Sequence, residues 1–338
     1  MGYSKLIITN LPAFYKINLY NEINKKDKIF VIFTGEDGVA RDSSFFKANI
    51  DFEYINLASL SKVKKMLKII RLINKIKFRE FIIGGWNQPY YWLGAFVCRK
   101  KKNAMVVESS NFESVTGGAK GFIKRLFLSR ISKVYVSGQS QADLVTAMKF
   151  SGKIVKTGGV GIANRTELKV FKEKSSVNKF LYVGRLSAEK NLDSLISVFN
   201  GIDGAILTII GYGSEENYLK EIAGSNINFL GTIDNTELPH YFKENDVFVL
   251  PSISEPWGLV IEEAFQNGLP VIVSNRVGCA PEIVTQKNGL IFDLAEPDDL
   301  KENILKMMNI DFYNRLSYNV SRMNFEEIAT KQVDSYLR

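Results

Sequence analysis

Cysteine and histidine are nearly missing from this chain of 338 residues. Its two cysteines, Cys98 and Cys279, stand far apart in different halves. That spacing excludes a disulfide framework and a cysteine-ligated cluster, and it fits a reducing compartment. The single histidine, His240, excludes a His-rich zinc site. Also missing is an uninterrupted apolar stretch of about 18 residues, the length a membrane-crossing helix needs. The nearest candidate, residues 81–98, is broken by Asn87, Gln88 and Pro89. The apolar run opening at Leu6 is too short for a secretory signal and reads as a first strand. Leu6 also occupies the place where a myristoylation signal carries Ser or Thr. No Gly-x-Gly-x-x-Gly follows that strand, which argues against a dehydrogenase. No Asp-x-Asp occurs anywhere, so neither a metal nor another cofactor is inferred for binding a diphosphate. There is no internal repeat and no low-complexity segment.

What is present is an ordinary globular composition, 46% hydrophobic and 24% charged, at a length that suits two domains. The net charge of +8 conceals an asymmetry. Residues 1–165 carry 28 Lys and Arg against 11 Asp and Glu, while residues 166–338 carry 16 against 25. A first half of net +17 beside a second of net −9 suggests that the first half faces something anionic, lipid or nucleic acid. No RNP-like or helix-turn-helix pattern accompanies the basic residues, so nucleic acid is the weaker reading. Residues 61–78 read as a basic amphipathic helix. Val63, Met66, Leu67, Ile70 and Ile73 recur at helical spacing among Lys62, Lys64, Lys65, Lys68, Arg71, Lys75 and Lys77. With Arg99 to Lys102 and the segment 121–128, this predicts a peripheral contact with an anionic membrane surface. The alternative is a buried face with a lysine-rich exterior.

Short β-rich runs alternate with helix-like stretches, the pattern of parallel α/β folds. Strands are expected at 6–9, 29–34, 52–56, 81–84, 105–108, 133–136 and 154–157. A second series falls at 180–184, 205–210, 227–230, 247–251, 270–274 and 290–292. The pause between the series, with a polar stretch at 172–176, predicts two doubly wound domains. The first spans 1–165 and the second 166–320, joined near 162–178, with a terminal helix at about 321–338 packing back on the first. In such folds ligands bind beyond the carboxyl ends of the strands. Gly184-Arg185, Gly211-Tyr212-Gly213, Gly231-Thr232 and residues 251–255 all fall there.

The most informative segment is Pro251-Ser252-Ile253-Ser254-Glu255-Pro256-Trp257-Gly258-Leu259-Val260-Ile261-Glu262-Glu263-Ala264. It leaves a strand and enters a helix, with Pro256 near the helix start and Glu263 about two turns in. Gly258 allows close approach to the backbone, and the amides of the first helical turn form an anion site. Carboxylates beside a phosphate site would repel phosphate, so Glu255 and Glu263 suit sugar hydroxyls better. Upstream, Gly184-Arg185-Leu186-Ser187-Ala188-Glu189-Lys190 follows a strand and places a guanidinium and an ammonium near the same end.

These blocks resemble the retaining glycosyltransferases of family 4. That family carries two glutamates with seven residues between them in a setting like E-P-F-G-L-V-x-x-E-A, and a G-R-L-x-x-E-K phosphate-binding segment. The resemblance continues through Gly268-Leu269-Pro270, Gly278-Cys279-Ala280-Pro281-Glu282 and Asn288-Gly289-Leu290, in order along the chain. It implies a GT-B fold, two Rossmann-like parallel-sheet domains facing across a cleft, and a retaining, metal-independent hexosyltransferase. On the family pattern, Arg185 and Lys190 would stabilise charge on the departing diphosphate. Glu263 would hold the ribose, Glu255 the donor sugar, and Gly184, Gly211, Gly258, Leu259 and Val260 would line the donor. The acceptor would be a glycan, lipid-linked, at the cytoplasmic face of a bacterial membrane, in lipopolysaccharide, O-antigen or related surface polysaccharide synthesis.

The first half departs from the family. The loop from Asn10 to Lys16 lacks paired glycines, and Glu108-Ser109-Ser110-Asn111 stands where a histidine is common. Glu108 is either a substitute that binds donor or acceptor hydroxyls, or a helix-capping acid. Asn10, Trp86, Asn87 and Ser109 are candidate acceptor contacts, Trp86 by stacking on a sugar face or else as a core residue. Rival readings are a sugar-nucleotide epimerase on the same architecture and a sugar-nucleotide-binding or nucleic-acid-binding protein without catalysis.

Overall fold

The computed structural model describes residues 2–35, 48–110, 114–164 and 170–338. The chain divides into two compact units, Met1–Ile162 with Glu326–Arg338, and Ala163–Phe325.

Unit 1 is built on seven parallel strands: β1 (Tyr3–Thr9), β2 (Ile29–Phe33), β3 (Glu53–Asn56), β4 (Phe78–Ile83), β5 (Asn103–Val107), β6 (Lys133–Val136) and β7 (Lys153–Lys156). Their order is β3-β2-β1-β4-β5-β6-β7. The chain runs outward on one side of β1 and then returns to lay β4 on its other side. The gap between β1 and β4 is therefore the switch point, where a crevice opens beyond the strand ends. β1 and β4 read as near-continuous apolar runs because helices cover both faces of a parallel sheet. One core forms around Phe81, Ile83, Met105 and Val136, the other around Ile7, Val31, Ile82 and Tyr135.

The helices of unit 1 are α1 (Phe14–Lys26), α2 (Lys62–Lys75), α3 (Pro89–Val97), α4 (Gly118–Leu128) and α5 (Gln139–Ala147). In α2 the buried residues are Lys65, Ile69 and Ile73, while Val63 and Leu67 are exposed. Of the expected face, Ile73 is buried and Met66 packs against the core, while Val63 and Leu67 are replaced by Lys65 and Ile69. Lys65 belongs to the buried face, with its ammonium 5.6 Å from the centre of the Tyr90 ring. A lysine whose stem and head cover an aromatic face costs less to bury than its charge suggests.

Unit 2 has six parallel strands: β8 (Lys179–Val183), β9 (Ile206–Ile210), β10 (Ile227–Gly231), β11 (Val247–Leu250), β12 (Val271–Ser274) and β13 (Gly289–Phe292). The order β10-β9-β8-β11-β12-β13 places its switch point between β8 and β11. Its helices are α6 (Leu192–Asn200), α7 (Glu216–Ile222), α8 (Leu238–Glu244), α9 (Leu259–Gln266), α10 (Ala280–Ile283), α11 (Asp299–Met307) and α12 (Ile310–Val320). The last helix, α13 (Phe325–Leu337), belongs to unit 1 beyond its first residue. Tyr336 stacks on Tyr135 with centroids 4.5 Å apart, and Asp334 pairs with Lys26 at 2.8 Å. Among the described residues no helix is long and apolar enough to cross a membrane.

Candidate functional site

Two pairs of loops meet at the switch point of unit 2. After β8 the backbone of Gly184 lies against that of Gly211, which follows β9. A Cβ on Gly211 would stand 1.8 Å from the Gly184 carbonyl oxygen, and Gly211 has φ +137°. A Cβ on Gly213 would meet the Leu186 carbonyl oxygen at 2.2 Å. The Leu186 amide donates to the Tyr212 carbonyl at 2.9 Å, closing the clasp. Only glycine satisfies both the backbone angle and the contact.

The same chain then makes a short 3-10 turn, Ala188–Lys190, and enters α6 through Asn191 in the left-handed region (φ 56°). Asparagine tolerates that region better than most residues. Here its side-chain amide donates to the Pro251 carbonyl at 3.2 Å, while the Ile253 amide donates to the Glu189 carbonyl at 3.0 Å. The loop after β8 is thereby tied to the loop after β11, with Lys190 and Glu255 on either side of the tie.

The β11 loop is clamped from below as well. The Gly278 amide donates to the Glu255 carbonyl at 2.8 Å, and a Cβ on Gly278 would stand 1.9 Å from the Pro256 carbonyl oxygen. Gly258 (φ +97°) then turns the chain into α9, which begins three residues after Pro256 and holds Glu263 in its second turn. The amides of Leu259 and Val260 have no intrahelical acceptor, because they open the helix.

Between these loops Lys190 and Glu255 form an ion pair, Nζ to Oε2 at 2.5 Å, with side chains 10% and 17% exposed. An ammonium has three donors, so it can hold Glu255 and still offer hydrogen bonds to a bound oxygen. Arg185 differs sharply. Its side chain is 56% exposed and its guanidinium contacts Glu189 at 3.1 Å.

Just before α9, the buried Trp257 donates its indole N–H to Glu262 on that helix at 2.8 Å. Glu262, the acid that precedes Glu263, is therefore the partner of this aromatic residue. Burial pushes the Glu262 carboxyl up to about 7, against the opposing effect of that hydrogen bond. Burial, and then the neighbouring Glu262 carboxyl, push Glu263 up to about 7 too. A groove of about 770 Å³ lies to one side, lined in part by Asn191, Tyr218, Ile253 and Glu296. It takes in neither Lys190 nor Glu255.

Unit 1 has its own strand-end group. Lys16, in the first turn of α1, is buried, and its Nζ lies 2.9 Å from Oε1 of Glu108, immediately after β5. Burial works against the Lys16 charge, but Glu108, Tyr15 and Tyr20 outweigh it and hold the ammonium well above its usual range. The sequence reading passed over Lys16. A signal was there, since Lys16 shares the i, i+4, i+7 spacing of Tyr20 and Ile23, both buried on the inner face of α1.

Asn10 and Ser109 are half-buried, with the Asn10 carbonyl accepting from Gly35 at 2.8 Å. Asn111 lies outside the described residues. Asn87 is exposed after β4. Trp86 packs against the core, its carbonyl accepts the Trp92 indole N–H at 2.9 Å, and Lys124 stands 5.0 Å over its ring. Among the described residues no group of three or more His, Cys, Asp or Glu is placed to hold a metal ion.

Comparison with known proteins fits this geometry. Structures of the GT-B class share the fold along the whole chain. The lipopolysaccharide outer core galactosyltransferase WaaB in its apo form aligns with a TM-score of 0.71 at 16% identity, covering 98% of both chains. Anabaena Alr3699/HepE, in a complex with UDP and glucose, aligns with a TM-score of 0.70 at 16% identity, covering 99% of both. Residues 164–323 match the family model described as glycosyl transferases group 1, so unit 2 is a domain of that kind. Curated relatives include sulfoquinovosyl transferase SQD2 of Arabidopsis thaliana, 36% identical over 38% of this chain and 26% of that protein. O-antigen chain mannosyltransferase B of Escherichia coli is 27% identical over 46% of this chain and 45% of its own. The matches span less than half the length of these relatives.

Proposed function

We propose that this protein is a retaining glycosyltransferase that moves a hexose from a nucleotide-diphosphate sugar to a glycan hydroxyl. The observation that carries the reading is the Lys190–Glu255 pair at the switch point of unit 2, beside the open amides of α9. When the glycosidic bond to the diphosphate breaks, negative charge collects on the leaving phosphate. A fixed ammonium and first-turn amides stabilise that charge more than they stabilise the intact donor, which is what lowers a barrier. Glu255, held in place by Lys190, accepts hydrogen bonds from donor-sugar hydroxyls, and Glu263 accepts those of the ribose. Arg185, exposed on the same loop, supplies a second positive charge to the diphosphate. Retention follows if the departing phosphate itself takes the acceptor's proton on the same face. No metal is required, since the cationic side chains supply the charge.

The test is direct. Wild-type protein is incubated with oligosaccharide acceptors and UDP, GDP or ADP sugars in excess EDTA, and nucleotide release and the anomeric signal of the product are followed by NMR. Release from one donor with retained configuration supports the reading. Release that needs magnesium, or an inverted product, contradicts it, and a donor merely epimerised favours the rival enzyme class.

A second part of the reading concerns the acceptor, a lipid-linked saccharide at the cytoplasmic face of a bacterial membrane. It draws on the O-antigen and lipopolysaccharide enzymes among the similar proteins and on two features of unit 1. α2 exposes Val63 and Leu67 among Lys64, Lys68 and Arg71, and α4 exposes Phe122, Ile123 and Leu126 beside Lys120. Apolar side chains ringed by cations suit anionic headgroups, at roughly 1 kcal/mol per cation near the surface. Anionic vesicles should sediment the protein at low salt, and Lys64→Gln, Lys68→Gln and Arg71→Gln together should weaken this about tenfold or more. Indifference to anionic vesicles would make a soluble acceptor the better reading.

A further inference from the structure

Among the described residues of unit 1, ion pairs gather at opposite ends of the sheet, around Glu80 and around Glu108, and the two groups are built differently. Near the amino ends of the strands, Glu80 has both oxygens occupied. Lys133 lies 2.7 Å from Oε1, while Lys5 at 3.2 Å and the Tyr135 hydroxyl at 2.9 Å share Oε2. Its side chain is 14% exposed. That is a closed structural network, with every charge answered inside the protein.

At the carboxyl ends the arrangement is open. Lys16 Nζ holds Oε1 of Glu108 from within, its own side chain 8% exposed. The Glu108 side chain is 38% exposed, and among the described residues no partner contacts Oε2. Around the ammonium stand Tyr15, whose ring centre is 5.9 Å away, and the buried Tyr20. Tyr20, Tyr91 and Tyr336 all feel both Lys16 and Glu108, and burial keeps their hydroxyls protonated well above the ordinary range. Removing an ammonium from water costs several kcal/mol, and fold stability alone rarely returns it, since apolar replacements often do as well. A buried cation that fixes one oxygen of a carboxylate and leaves the other facing out is an arrangement for holding something.

We propose that Lys16 is a positioning residue: its buried ammonium fixes one oxygen of Glu108 so that the other accepts a hydrogen bond from a hydroxyl of the sugar substrate. The ligand class is a neutral polyol, because an anionic group would be repelled by the outward oxygen. The proposal rests on the glycosyltransferase reading above. Lys16 does not touch the substrate. Its effect passes through Glu108, where a misplacement of about 1 Å is enough to cost roughly a hundredfold in rate.

The experiment is a double-mutant cycle on nucleotide release from whichever of the UDP, GDP or ADP sugars the wild type consumes. Lys16→Met and Glu108→Gln should each lower kcat about 10- to 100-fold with little change in donor KM. The double variant should be no worse than the weaker single, because both break the same contact. Lys16→Arg, which keeps the charge, should recover much of the loss, and binding of the free nucleoside diphosphate should be unchanged throughout. Should Lys16→Met not fold, Glu108→Gln and Lys16→Arg carry the comparison. Wild-type kcat in Lys16→Met overturns the proposal, as do effects that multiply in the double variant. So does a Lys16→Met loss explained wholly by a lower Tm. If the wild type consumes none of the donors, the glycosyltransferase reading falls, and this proposal with it.

Discussion

The two units solve the same topological problem with opposite economy. Each is a doubly wound parallel sheet with a switch point, and each places a lysine–glutamate pair beyond the carboxyl ends of its strands. In unit 2 the pair spans the two strands that flank the switch point, β8 and β11, and three close backbone approaches at glycine hold the loops that carry it. In unit 1 the pair spans β1 and β5 across the end of β4, and aromatic burial around Lys16 supplies most of the support, beside one glycine approach at Gly161, whose Cβ would stand 2.7 Å from the Tyr15 carbonyl oxygen. Backbone clasps demand particular residue types at fixed spacing, whereas burial among side chains accepts many solutions. The first kind of site leaves a motif in the sequence and the second does not.

The comparison is broken most directly at the ion pair of unit 2. Lys190→Met and Glu255→Gln should each lower nucleotide release by roughly 100- to 1000-fold, the cost of losing a fixed charge aimed at the transition state. Arg185→Ala, on a side chain that is 56% exposed, should cost only about tenfold. Equal effects at all three would remove the distinction between a buried and an exposed cation.

The glycine clasp comes next. Gly278→Ala puts a methyl 1.9 Å from the Pro256 carbonyl oxygen, so the Glu255 loop must move. A loss of about 2–3 kcal/mol in unfolding free energy is expected, with weakened nucleoside diphosphate binding. Gly117→Ala in unit 1, where a Cβ meets nothing within 4 Å, should change neither. Comparable losses at the two positions would mean that the clasp is not what holds the site.

The smallest effect is electrostatic. Glu262 and Glu263 are raised from 4.5 to about 7 by burial, so the folded chain keeps two protons that the unfolded chain has released. Folding therefore takes up protons between about pH 4.5 and 7, and stability is lost as pH rises through that window. Glu263→Gln removes one of these groups. Denaturant titrations from pH 5 to 8 should show the variant gaining on the wild type by about 2 kcal/mol or less. A constant difference across the range would show that Glu263 ionises normally in the folded state.

Much of unit 2 was legible in advance for the reason just given. Gly211 and Gly278 sit where backbone contact excludes a side chain, Gly258 where φ is +97°, and Gly184 against the Tyr182 ring, while Lys190 and Glu255 follow strands whose apolar runs are unmistakable. The parallel strands were equally readable, because burial on both faces enforces continuous β-branched and aromatic runs. Three things were not. The face that α2 buries was fixed only in part by periodicity, since Lys65 fits against Tyr90 and takes a place that Val63 and Leu67 were expected to fill. The role of Glu262 depends on the direction of the Trp257 indole, which no spacing specifies. The Lys16–Glu108 pair joins residues 92 positions apart through the strand order, and nothing local marks either as the partner of the other.

The central claim is that unit 2 binds a nucleotide-diphosphate sugar through Lys190 and Glu255. The most direct measurement is a thermal-shift titration of wild type, Lys190→Met and Glu255→Gln with UDP, GDP and ADP and their sugars, because stabilisation follows affinity for the folded state. The account expects one nucleotide family to raise the wild-type Tm. Lys190→Met should lose the response to the free diphosphate, and Glu255→Gln should lose only the additional response to the sugar-bearing form. A wild type that responds to none of these ligands, or variants that respond as the wild type does, would contradict it.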